Sequence, residues 1–154
     1  MTESDVVQYL QQSYEGLVIA GGEGNTFVMY DPGRQLPESK RFPFITVMTN
    51  DLNDRASNLD RPGAFRVNIE VRKQTFDGLF GDVAFPDEPF SAPAGFDYKE
   101  FNVLMPHPVY GRQHWVCILN PDEHKWEQTL PLIAEAYDRA KARHAVLTKA
   151  PAAM

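Results

Sequence analysis

Two histidines, a tyrosine and an arginine fall within eight positions of this chain: His107, Tyr110, Arg112 and His114. Histidine titrates near neutral pH, and arginine offers a planar fork of donors that fits carboxylate or phosphate. Such a cluster could move a proton or grip an anion. A second concentration is Ser57-Asn58-Leu59-Asp60-Arg61-Pro62-Gly63, where a Pro-Gly turn stiffens the loop and aims Asp60 and Arg61. A third is Arg66, Asn68 and Glu70, which share one face of a strand because they stand two apart. Each has a structural counterpart. His107 can cap a loop between Pro106 and Pro108, and His114 can edge a strand. Asp60 can bond the turn backbone, Arg61 can cover an acid, and Arg66 can sit on a wet strand face.

Other chemistries lack their residues. No HxH, HExxH or CxxC pairing is present, so no metal site is expected. His114 and Cys117 are three apart on a strand and face opposite sides. Cys117, between Val116 and Ile118, reads as a buried, inert thiol. Gly21-Gly22-Glu23-Gly24-Asn25 lacks the Lys-Ser/Thr and following helix of a phosphate loop, and reads as a hairpin turn. No Gly-x-Ser-x-Gly elbow occurs, and no cofactor is implied.

Thr2 and Asp5 open a helix over residues 4–14, with Val6, Val7, Leu10 and Tyr14 on one side. Strands are expected at 17–20, 26–30 and 44–48. Phe65, Val67, Ile69 and Val71 alternate with Arg66, Asn68, Glu70 and Arg72, which is the period of a half-buried strand. Lys73 to Phe80 reads as a short helix closed by Gly81. Residues 82–97, with three prolines among acids, read as a mobile loop, and 96–105 as holding a short helix. Trp115 to Leu119 should be an internal strand, since both of its faces are apolar. Asp122 can cap a last helix striped by Trp126, Leu130, Ile133, Tyr137 and Ala140, with Pro131 kinking it or marking a second start.

The order of elements predicts an α+β protein: one antiparallel sheet of about five strands, helices on one face, the other face partly open. A length of 154 residues suits one domain, expected over 1–144, with 145–154 a disordered tail. A lone cysteine, no signal-peptide pattern and no long apolar run predict a cytoplasmic protein without a membrane anchor. The net charge of −6 argues against nucleic acid as a partner. Within that acidic chain, residues 55–73 carry five bases against two acids, a local surplus that could receive an anion.

Two resemblances sit on these motifs. His114-Trp115-Val116 through Glu135-Ala136-Tyr137 looks like the C-terminal half of YjbR/MmcQ-type proteins, small α+β domains of the CyaY-like, double-wing kind, sometimes described as DNA-binding. Arg41-Phe42-Pro43-Phe44, Ser57 to Gly63, Phe65-Arg66-Val67-Asn68, Met105-Pro106-His107-Pro108 and Trp115-Val116-Cys117 are similar to an uncharacterised, mostly actinobacterial family of unknown function. That likeness implies a fold and a bacterial cytoplasm but no activity.

The residues therefore point to a non-catalytic ligand-binding or interaction domain. The alternative is a small hydrolase or isomerase with His107 or His114 as general acid/base and Arg61 or Arg66 holding an anionic substrate. Either way the site is expected where the 57–63 loop meets the 106–114 segment, using Asp60, Arg61, Arg66, Tyr110 and Arg112 on a small polar or anionic ligand or a protein partner. The oligomeric state is left open.

Overall fold

A computed structural model describes residues 1–149. Helix α1 (Glu3–Ser13) begins with the expected capping box, Thr2 and Asp5 each bonding the other's backbone N–H. Strands β1 (Leu17–Gly22) and β2 (Asn25–Tyr30) form a hairpin. Its two-residue turn, Glu23-Gly24, has φ of +55° and +86°, the hand that matches the twist of the strands. Strands β3 (Ile45–Met48) and β4 (Arg66–Glu70) follow, then helix α2 (Lys73–Phe80). After a long irregular stretch come β5 (Leu104–Pro106), β6 (Trp115–Leu119) and helix α3 (Glu123–Thr148).

The six strands form one antiparallel sheet in the order β1-β2-β3-β4-β6-β5. The α+β class, the single sheet and the internal position of Trp115–Leu119 are as expected; the strand count is six rather than about five. The additional strand is β5, in a region expected to hold a helix. Residues 96–103 form turns instead. Pro106 argues against a strand, since it cannot donate to a ladder, but β5 is an edge strand of three residues with one side unpaired.

Strand parity divides the side chains. Val28, Ile45, Val47, Val67, Ile69, Val116 and Ile118 face the helices and bury against Val6 and Leu10 of α1 and Trp126, Ile133, Ala136 and Ala140 of α3. Burying one such aliphatic side chain is worth about 1.5–3 kcal/mol, and this is the main core. On the opposite face, one end of the sheet is covered by loops. Met48, Met105, Cys117 and Leu119 pack there with Leu59, Ala64 and Tyr98 as a second, smaller core. The rest of that face stays open.

Helix α3 runs unbroken through Pro131 to Thr148, beyond the boundary expected at Ala145. Pro131 is on the exposed side, as is Glu127, so water can take the carbonyl that Pro131 leaves without a donor. His144, near the end of α3, donates from Nε2 to buried Asp31 Oδ1 at 2.9 Å. Asp31 also accepts from Arg41 Nε at 2.8 Å and from the backbone N–H groups of Gln35 and Leu36 at 3.0 Å each. This clasp ties the last helix to the loop after β2. The remainder of the expected tail lies outside the described residues.

Candidate functional site

The open part of the sheet forms the floor of a cleft of about 630 Å³. Period-two alternation delivers the floor: Phe27 from β2, Thr46 and Met48 from β3, Arg66, Asn68 and Glu70 from β4, and Trp115 from β6. Three walls rise from loops. Phe42 and Pro43 precede β3, Asn53 and Asp54 belong to the 51–63 loop, and His107, Val109 and Tyr110 follow β5.

Arg66 is among the largest fully buried side chains, with 1% of its surface exposed. Its guanidinium is bonded at almost every position. Nε donates to Asn68 Oδ1 at 2.9 Å, one terminal nitrogen to Asp54 Oδ1 at 3.0 Å and Ser57 Oγ at 2.9 Å, and the other to Asp54 Oδ2 at 2.6 Å. Asn68 in turn donates to Thr46 Oγ1 at 2.9 Å. Burial would raise the Asp54 carboxyl, but the hydrogen bond and charge of Arg66 outweigh it and hold the group below its ordinary value. Arg66 and Asp54 are thus a matched ion pair within a polar network at the cleft floor.

His107 is 4% exposed, and its ring is fixed by its own turn. Nδ1 accepts from the backbone N–H groups of Val109 and Tyr110, both at 3.0 Å. An Nδ1 that accepts twice carries no proton, so the neutral ring holds its hydrogen on Nε2. Burial, with the neighbouring Arg66 charge, pushes the imidazole down to about 3, although Asp54 pulls the other way. At neutral pH His107 is therefore an uncharged N–H donor. It has no free lone pair with which to take a proton. Among the described residues Nε2 has no hydrogen-bond partner. The ring sits 5.2 Å from Tyr110 and 6.4 Å from Trp115, centroid to centroid.

Of the residues singled out from the sequence, Arg66, His107 and Tyr110 come together here. The others lie elsewhere. His114 adopts a left-handed conformation, φ +68°, and its ring packs 5.7 Å from Phe76 on the helix side of the sheet. Arg112 donates to the Pro86 carbonyl and covers the Phe85 ring at 5.3 Å. Arg61 donates to the carbonyls of Ser57, Asn58 and Lys99 and stacks 4.7 Å from the Phe101 centroid. Asp60 accepts from the Asp51 N–H at 3.2 Å, beside a shallow depression with Leu52 and Arg55. The 57–63 loop reaches the cleft only through the Ser57 hydroxyl on Arg66. Thr46 and Trp115 could have been found by strand parity; Asp54 carried no signal. Among the described residues, no three His, Cys, Asp or Glu side chains converge as a metal ion would require.

These features define a small α+β domain with one antiparallel sheet, helices on one face and a lined cleft on the other. The chain matches a family of unknown function, DUF6194, over residues 1–149 and belongs to that family. No curated protein and no solved structure matches it. No helix among the described residues is long and apolar enough to cross a membrane.

Proposed function

We propose that this chain is a non-catalytic, small-molecule-binding domain whose ligand sits in the cleft on the open face of the sheet. One observation carries the reading: about 630 Å³ of concave surface, mostly apolar and aromatic at its walls, over a few convergent buried polar groups. Small-molecule sites span roughly 300–1,000 Å³ and share that composition. The enzyme alternative has less support. His107 lacks a free lone pair, His114 is on the other side of the sheet, and Arg61 and Arg66 are already bound to protein acceptors. The lone buried Cys117 supports a reducing cytoplasm as the setting.

A thermal-shift screen of metabolites tests the proposal, since a ligand of the folded state raises the melting temperature by mass action. Val109→Trp places an indole in the cleft, and Arg55→Ala alters the separate depression near Asp60. A true cleft ligand should lose its effect in Val109→Trp and keep it in Arg55→Ala. Hits that stabilise both variants equally would place the ligand elsewhere and defeat the reading.

A further inference from the structure

We infer that the cleft is built for an uncharged ligand with a flat apolar body and a carbonyl-type acceptor, the acceptor being received by the Nε2–H of His107. This rests on the reading of the cleft as a binding site and specifies what the site takes.

Charge decides the first part. Four formal charges border the cleft, and all are taken. Arg66 is bonded to Asp54 at 2.6 Å, and Arg143 is bonded to Glu70 at 2.6 Å, with Arg139 at 3.7 Å from the same carboxylate. A carboxylate or phosphate reaching the floor would lose water and find its buried cation, Arg66, already spent on Asp54, while Arg143 stands a third exposed at the rim and is held by Glu70. An ammonium would find no free carboxylate. Burying an ion without a partner is strongly unfavourable, whereas a neutral polar group needs only a hydrogen bond. The anionic ligand suggested by the bases of residues 55–73 thus finds no support in the cleft, because the one base of that segment lining it is spent on Asp54.

Hydrogen bonding decides the second part. His107 is nine-tenths buried, lines the cleft, and keeps an N–H without a partner among the described residues. Nε2 itself opens to the cleft, since Tyr98 Oη alone is a fully buried polar side-chain atom without a partner among the described residues, so a guest with an acceptor at that point takes the place of cleft water on this N–H. The Thr46 hydroxyl accepts from Asn68, and its own proton has no acceptor among the described residues, which adds a second donor on the floor. Both unspent groups donate; the guest must accept. Because His107 is held neutral down to about 3, this donor does not become a cation at physiological pH.

Shape decides the third part. Trp115 and Phe27 stand on the floor, with Phe42 on one rim and Tyr110 on another. Flat rings with a negative face and positive edge favour a flat partner.

The test uses the whole ¹⁵N-labelled chain and four probes of one shape: benzamide, benzoate, benzamidinium and toluene. Titrations at pH 7 follow the indole N–H of Trp115 and the imidazole Nε2–H of His107. The indole of Trp126, buried on the helix side, is the control. Benzamide should shift both cleft signals and leave Trp126 still. Its Kd should be at least about tenfold lower than that of either ion and lower than that of toluene. Its affinity should be constant from pH 5 to pH 8. Benzoate or benzamidinium binding as tightly as benzamide would overturn the uncharged class while leaving the cleft a binding site. Toluene matching benzamide would overturn the acceptor. A long-range ¹H–¹⁵N spectrum showing the proton on Nδ1 of His107 would overturn the donor. If none of the four moved the cleft signals, the inference and the binding reading would fall together.

Discussion

Removing Asp54 should be among the most damaging single changes near the cleft, and more damaging than removing the arginine it holds. Asp54→Ala deletes two of the four hydrogen bonds to the Arg66 guanidinium, both between charged partners. Such bonds contribute about 1.5–3 kcal/mol each. Arg66 would remain as a cation at 1% exposure with only Asn68 and Ser57 as acceptors. The Asp54 side chain is 15% exposed, so water can enter through the space it leaves and offset part of the loss. The lower end of the range applies, about 3 kcal/mol. For a chain of this length that is a fall of roughly 10 °C in melting temperature. Arg66→Met strands the carboxylate instead, which water already reaches, and should cost about 2 kcal/mol. The pair also carries a pH signature. A carboxyl lowered in the folded state adds stability that is present above its unfolded value near ~3.9 and is lost as pH falls through the folded value. Asp54→Asn should flatten that acid limb. Urea unfolding of the three variants, repeated between pH 7 and pH 3, is the assay. A cost below about 1 kcal/mol for Asp54→Ala, or an order in which Arg66→Met is clearly worse, would show that the pair is solvated and that the cleft floor is not the rigid network described.

Other outcomes follow from the same geometry. Asp31→Asn should lower the urea midpoint without changing the slope and weaken the loss of stability below about pH 4. Burial alone would raise this carboxyl, but bonds from Arg41, His144 and two backbone N–H groups hold it well below the usual range. An unchanged midpoint would mean that the clasp on α3 contributes nothing. Arg61→Ala should cost about 1–2 kcal/mol by releasing three carbonyls, and should leave cleft affinity untouched; a lost ligand with intact stability would restore it as a binding residue. Cys117 is fully buried, which pushes its thiol up to about 12, so labelling by iodoacetamide should proceed at the rate of unfolding. Fast labelling of the native protein would show that β6 opens locally.

The sheet and its helix-covered face were legible because apolar residues alternate strictly from Phe65 to Val71. The same alternation placed Arg66, Asn68 and Glu70 on the opposite face. What the alternation does not contain is register: only the pairing of Asn68 with Cys117 and Thr46 sets Trp115 beside Glu70 and Thr46 beside Asn68. The burial of Arg66 was invisible for a related reason. Its cover comes from Asp54 and Ser57, residues of a loop that reads as uniformly polar. The histidine cluster misleads by proximity. His107 and His114 are seven positions apart, but a short 3-10 turn and a left-handed residue between strands send their rings to opposite sides of the sheet. Local spacing constrains direction within a strand or a helix and says little across such a turn.

The order of the strands has a consequence for how the chain acquires its shape. Strands β1 to β4 are neighbours in sequence and in space, and β5 lies beside β6, so all of these ladders close short loops. The β4–β6 ladder alone must bring together strands separated by residues 71–114. Closing that loop costs the most chain entropy, and the seam should zip late. Trp115 lies on β6 and Arg66 on β4, so the cleft has no floor until it does. In a Trp126→Phe variant, native-like Trp115 fluorescence arriving ahead of the bulk of strand signal during refolding would contradict this order. On a ribosome, the first four strands would emerge with the β4 edge bare, the backbone groups of Val67 and Ile69 open to any passing strand until the last third of the chain arrives to cover them.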